Sequence, residues 1–488
     1  MESNLKIRKT LILLFKIFFI GLILQFFLQT FITFELGLDG GFWKVIWSWK
    51  EIFVVAGAIF VLYIFVKNFN WKNSKGLKSE FENRRYELNL NKIPIIKFVS
   101  VFLITFIITL IVSIIIKKVG IGNYILSAKY NLIGFFIFIL SFLLSRIFLK
   151  VEDMKIIYWY NRLFKIALVG AIAWRAMVWL IPNFLKFFGY NQYNYEGTIG
   201  IQPPAAYYTM INHGFVRNQF LFERPINFGF FLIALWPLFY LVVLKGKSKR
   251  KMILPWSIVY GLAVFSTLSR AAIGVWIIQT IIILILIYRK NIGKIFWRLI
   301  VPLIILIGIG GTYFYKTSGD RVHSNIGHVQ LPLEGLKIFA ENPIFGWGAG
   351  YAGPASHQVC YNNLEDTKCQ KIKEINDKYE ITTIGFNPEN QYIQVLMEYG
   401  ILGFIGWIIM YVWLHIVGIK AWLDIRKKKL SKEIRQNSRI IIGFSIGLLG
   451  LSMEAFVLHS FVDRMIVYPF MAMFGLAYAL YWKQSRSK

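Results

Sequence analysis

The sequence is short of charge, of carboxylates and of cysteine. Only 16% of its 488 residues are charged and 57% are hydrophobic, where an ordinary soluble domain carries roughly 25% charge. That excludes a typical water-soluble globule. Asp and Glu number 25 against 55 Lys and Arg, and no D-x-D pair, CxxC, zinc spacing or haem motif is present. The run Gly246-Lys247-Ser248 is not a phosphate loop, because the glycine required five positions earlier is Leu241. With two cysteines, a disulfide scaffold is excluded as well.

What the chain has instead is a series of apolar runs, each near the length that crosses a bilayer. They predict an all-α polytopic membrane protein with about 12 transmembrane helices, at about 11–34, 47–66, 95–116, 132–149, 162–184, 226–244, 253–268, 272–288, 299–315, 401–422, 440–457 and 466–482. The first run has a basic flank, but it is too long for a signal peptide and lacks a small-residue cleavage site. The net charge of +30 invites a nucleic-acid reading, yet Lys and Arg gather in short runs between alternate apolar segments. That is the charge bias of cytoplasmic loops. It predicts both termini on the cytoplasmic side and a lipid bilayer, not nucleic acid, as the medium.

On that topology the chain divides into helices 1–9 (residues 1–315), a large external loop with short helices (316–400) and helices 10–12 (401–488). A smaller external loop at 185–225 is rich in aromatics, among them Tyr190, Tyr207 and Phe220. Such rings serve either as an interfacial belt or as a surface for sugar or lipid. The large loop holds both cysteines, Cys360 and Cys369, and three of the six histidines, His323, His328 and His357. Two cysteines on an oxidising face are expected to pair. Within the loop, LPLEGLKIFAENPIFGWGAGY reads as a short helix stopped at Asn342-Pro343 and followed by a glycine turn. That turn, with Gly348 and Gly350, is either punctuation or a place where backbone amides meet an anion.

Charged residues collect on the same predicted side: Arg217 in the aromatic loop, Arg270 at the tip between helices seven and eight, Arg321 opening the large loop, and Glu389-Asn390 before helix ten. A single boundary arginine usually snorkels to headgroups. Several converging on one cavity would hold phosphate through their planar forks. Arg175 in helix five and Glu454 in helix eleven lie at membrane depth and are read as an ion pair or as part of a substrate path. His459 and Asp463 lie in the last external turn, HSFVD.

The order of these pieces resembles a known family. An Arg before a PINFG helix start, an SR-A helix tip, an Arg opening the large loop, ENPIFGWGAGY, NQYIQVLMEYGILGF and HSFVD follow one another. Together they look like the O-antigen ligase and Wzy-type polymerase family of bacterial membrane glycosyltransferases, most sharply over about 266–463. The resemblance implies an enzyme of the bacterial inner membrane that moves a glycan from undecaprenyl diphosphate to a hydroxyl of a glycan or lipid acceptor. It implies no metal and no cofactor, with Arg217, Arg270 and Arg321 on the diphosphate. Where the family's ligases carry His-Asn before the returning helix, this chain has Glu389-Asn390, and Glu389 is expected to be the base that accepts the hydroxyl proton. His323, His328, His357 and His459 are its rivals. The alternative is a polysaccharide exporter or lipid-linked glycan flippase, which predicts polar residues spread along a pathway through several helices.

Overall fold

The structure, a computed structural model, describes residues 2–37, 46, 48–69, 94–181, 184–188, 217–243, 253–288, 326–381, 383–426 and 431–486. The ninth expected helix at 299–315, Arg321, His323 and most of the aromatic loop lie outside these residues.

Among the described residues every regular element is helical. In order they are α1 (Glu2–Thr30), α2 (Trp49–Phe69), α3 (Pro94–Ile111), α4 (Ile121–Asn131), α5 (Ile133–Phe148), α6 (Lys155–Leu180), α7 (Pro225–Val243), α8 (Ile253–Ser266) and α9 (Arg270–Tyr288). Three short helices follow, α10 (Leu331–Glu341), α11 (Gly353–Asn362) and α12 (Thr367–Lys378). The long α13 (Gln391–Arg426), α14 (Lys432–Glu454) and α15 (Arg464–Arg486) complete the chain. Short π turns close α1 and α3 and precede α10.

A helix falls at each expected span that the structure describes. Among the described residues, six helices are long and apolar enough to cross a membrane, or seven if the bent pair α4–α5 counts as one span. That is fewer than the expected 12, of which the ninth lies outside the described residues. The apolar helices α8 and α9 are short. The first two turns of α14 are polar, with Lys432, Glu433, Arg435, Gln436, Asn437 and Arg439.

Glycines let the central helices touch. In α14 a Cβ at Gly443 would stand 2.7 Å from the Leu238 Cα, one at Gly447 would strike the Ala234 carbonyl, and one at Gly450 would strike Gln279. These three glycines recur at i, i+4 and i+7, so they form one face, which presses α14 against α7 and α9. Gln279 bridges this junction, donating to the carbonyls of Ile233 (3.0 Å) and Ile446 (2.9 Å).

α13 starts ten residues earlier than its apolar run implies. Residues 391–400 contain Gln391, Gln394 and Glu398, which reads as loop, yet all three side chains are fully buried. The helix is broken at Gly400, whose φ of 67° and ψ of −171° are open only to glycine. A break in a helix orphans carbonyls before it and amides after it. Here the glycine turn takes both sets: Trp347 N donates to Met397 O (2.7 Å) and Gly348 N to Glu398 O (3.2 Å), while Pro343 O accepts from Ile401 N (2.8 Å) and Ile344 O from Leu402 N (3.3 Å).

Helices α10–α12 and this turn form a small module with its own apolar core, including Leu331, Ile338, Trp347, Val359, Ile372 and Phe386. Cys360 and Cys369 are joined by a disulfide. Glu334 pins α10 to α12 by accepting from Lys378 Nζ (2.8 Å) and Tyr379 Oη (2.9 Å). The fit at the break is tight, because a Cβ on Gly400 would collide with the Ile344 carbonyl. Gly400→Ala is expected to cost about 1–3 kcal/mol from backbone strain alone and to detach the module first. Limited proteolysis should then cut residues 326–390 in the variant under conditions where the wild-type module survives and the bundle stays whole.

Candidate active site

At the end of the bundle that carries the module, α13 begins with Asn390 as its cap. The Asn390 Oδ1 accepts from Ile393 N (3.1 Å), and its Nδ2 donates to Phe456 O (2.9 Å) in the turn after α14. Gln391 N donates to Ala455 O (2.9 Å), and the Gln391 Oε1 accepts from Phe461 N (2.9 Å). Both ends of the Asn390 side chain are thus committed to the fold. The Asn390 side chain, expected to share in the chemistry, ties the start of α13 to the turn after α14.

Glu389 itself has φ of 44°, a conformation that costs a non-glycine residue energy and persists only where the surroundings impose it. Its carboxylate turns to the π turn Ile326–Gln330, where Oε2 lies 3.0 Å from His328 Nδ1. Both side chains are about one-third open, 31% and 32%. The Nδ1 edge is buried, and the Glu389 carboxylate is the group it faces. Gly327 is the residue that makes room, because a Cβ there would stand 2.8 Å from Glu389 Cδ and closer still to Oε2. The carboxylate pushes the His328 imidazole above its ordinary value, with the Val457 backbone helping; burial and the charge of Arg270 pull it down.

That last influence places Arg270, the exposed first residue of α9, within electrostatic reach of the pair. Arg217 is fastened to the same corner. Its Nε donates to Thr267 O (2.8 Å), and the next residue locks the segment in place, with Asn218 N on Ser266 O (2.8 Å) and Asn218 Nδ2 on Ala171 O (3.0 Å). Arg217 thus stands beside the α8–α9 turn, and Arg270, which follows that turn, acts electrostatically on His328. Arg321 and His323 lie outside the described residues.

The remaining candidates have other partners or surroundings. Gly348 and Gly350 do not present amides to an anion. The Gly350 amide (2.8 Å) and the Ala352 amide (3.3 Å) both donate to the Glu398 carboxylate, and the Gly348 amide is taken by Glu398 O. Glu398 is satisfied further by Ser127 Oγ (2.7 Å) and Asn131 Nδ2 (2.8 Å). A buried side-chain carboxylate already fills the place an anion would take.

Arg175 and Glu454 form no ion pair with each other. Both Glu454 oxygens are buried without a partner, at the end of the glycine face of α14. His357 sits on α11 and makes no contact with the pair among the described residues. His459 is pushed down to about 4 by burial, and its Nε2 is buried without a partner. Asp463 caps α15 by accepting from Met465 N (3.0 Å) and is pushed up to about 7 by burial and the nearby Glu223 carboxylate. The pairing of His328 with Glu389 was hidden in the sequence, since 61 positions and a folded module separate the two. Only the glycine before His328 hinted at a close approach.

These features define a helical membrane-type protein whose ionisable groups gather at one end of the bundle, beside a disulfide-bearing module. Residues 256–408 match the family model described as O-antigen ligase, Wzy_C, so that stretch is similar to the O-antigen ligase family. The matched stretch contains Arg270, His328 and Glu389, and leaves Arg217, His459 and Asp463 outside. No curated protein matches the chain.

The close approach at Gly327 gives a direct test. In Gly327→Ala the new methyl meets the free end of a flexible side chain, so the fold should survive and the carboxylate should swing away. Melting temperature in detergent should stay near that of the wild type, while turnover falls about 100-fold, the scale of a misplacement of about 1 Å. Unchanged turnover would show that the position of Glu389 does not matter.

Proposed function

We propose that this protein is a membrane glycosyltransferase of the bacterial inner membrane, acting at the outer face. It moves a glycan from undecaprenyl diphosphate to a hydroxyl of a second glycan or of a lipid, with inversion and without a metal. The acceptor oxygen forms its bond to the anomeric carbon, the bond from that carbon to the diphosphate breaks, and the electron pair leaves with the diphosphate. Arg270 and Arg217 would hold that leaving group, with Arg321 as a third contact, because the guanidinium fork matches phosphate oxygens and stabilises charge as it develops. The Glu389–His328 pair would receive the hydroxyl proton.

The observation that carries this reading is the meeting of an arginine, a carboxylate and an imidazole at one corner of the bundle, inside the stretch that matches the O-antigen ligase model. An exporter or flippase would instead spread polar residues along a pathway through several helices. The assay is transfer by purified protein in detergent with a lipid-linked oligosaccharide as donor. Wild type is expected to yield longer or transferred glycan; Arg270→Ala should be inactive while still expressed, and Arg270→Lys should recover little activity, since a point charge does not reproduce the fork. Wild-type protein that yields no product in detergent, yet moves the lipid-linked glycan across a vesicle membrane, would overturn the reading in favour of transport.

A further inference from the structure

The site contains two groups able to take a proton, and their geometry is not symmetric. Glu389 offers Oε2 to the Nδ1 edge of His328, and that edge is buried. The ring as a whole remains about one-third open, at 32%, and Nε2 is the nitrogen that the carboxylate does not face. The carboxylate is turned inward to the π turn, over a glycine that has no Cβ to obstruct it. A carboxylate behind one imidazole nitrogen holds the proton on that nitrogen and leaves the lone pair on the other.

We propose that His328, oriented by Glu389, is the group that takes the proton of the acceptor hydroxyl, and that Glu389 acts as its positioning residue. The inference rests on the glycosyl-transfer reading and sharpens it. In the step, the hydroxyl O–H bond breaks and its proton goes to Nε2 as the oxygen bonds to the anomeric carbon. The electron pair of the broken glycosyl bond leaves with the diphosphate, and the imidazolium then gives its proton to water. The Glu389 carboxylate stabilises the imidazolium it faces.

Among the described residues, the groups that act on the ring come from several elements. Glu389 comes from the segment before α13, Arg270 from the start of α9, and the Val457 backbone from the turn after α14. From α10, packed on the same π turn, Glu334 points instead to Lys337, Lys378 and Tyr379. Contact with Glu389 raises the imidazole, while burial and Arg270 lower it. A histidine base works only when neutral, so activity should rise with pH through that raised value and disappear below it. Removing the carboxylate deletes the main raising influence, and the rise should then move to lower pH.

The test is the pH–rate profile of purified wild type, Glu389→Gln and His328→Ala in the lipid-linked glycan transfer assay. It is paired with titration of the ring by NMR of 13C-histidine-labelled protein, in which His328→Ala assigns the resonance. Wild type should lose activity on the acid side at the pH where the His328 resonance titrates, above the ordinary histidine value of about 6.5. His328→Ala should be inactive at every pH. Glu389→Gln should keep a reduced but measurable rate, with the acid limb and the resonance both moved to lower pH. An active His328→Ala beside a Glu389→Gln that is dead at every pH would overturn the proposal and make Glu389 the acceptor. A wild-type acid limb in the carboxylate range, away from the His328 titration, would overturn it equally. No transfer by wild type at any pH, with the NMR titration as expected, would instead remove the transfer reading on which the proposal stands.

Discussion

The break in α13 at Gly400 is the constraint on which the rest of the molecule depends. A helix cannot end within a membrane-type bundle without leaving amides and carbonyls unpaired, and each costs free energy when buried. The glycine turn resolves this by lending its own carbonyls and amides to the two sides of the break. The Glu398 carboxylate completes the joint from below with bonds to Gly350, Ala352, Ser127 and Asn131. The polar half-helix 391–399 and the module are therefore one construction: neither satisfies its backbone without the other. Because Asn390 caps that half-helix and Glu389 precedes it, the position of the proton-handling pair follows from the same joint.

A second consequence is that the module can be polar, disulfide-bearing and largely outside the bundle, and still position a side chain precisely. The π turn carrying His328 packs against α10, and α10 packs against α13. The ring is thus held from one side by the module and from the other by the turns that end α14 and begin α9. Arg270, Arg217, Glu389 and His328 come from four separate stretches of sequence, but each is fastened by backbone hydrogen bonds or a helix end. Electrostatics at this corner are balanced: one carboxylate meets an imidazole, with arginine charge close by. That arrangement suits a site that must receive an anionic group and a proton at adjacent points.

Much of the fold was legible in the sequence because apolar runs report helices directly. What was not legible shares one cause, namely polar side chains that are satisfied by partners far away in the chain. Gln391, Gln394 and Glu398 read as loop, yet they form buried helix, and the start of α13 was missed by ten residues for that reason. Gly348 and Gly350 read as a possible anion cradle, a place already occupied by the carboxylate of Glu398. Arg175 and Glu454 read as an ion pair because both sit at membrane depth; hydropathy does not say which faces meet. Cys360 and Cys369 were legible as a pair, since nine positions suffice to close a short loop. The O-antigen ligase resemblance was carried by motif order, whereas the meeting of His328 with Glu389 required the fold.

The central claim is that the corner formed by Arg217, Arg270, His328 and Glu389 is where the lipid-linked donor reacts. The most direct measurement is an electron cryo-microscopy structure of the protein with an undecaprenyl-diphosphate oligosaccharide bound. The account predicts diphosphate oxygens within hydrogen-bond distance of the Arg270 guanidinium and the anomeric carbon between that diphosphate and the His328 ring. A donor seated on another face of the bundle, with Arg270 turned to lipid headgroups and the Glu389–His328 pair away from the sugar, would contradict it.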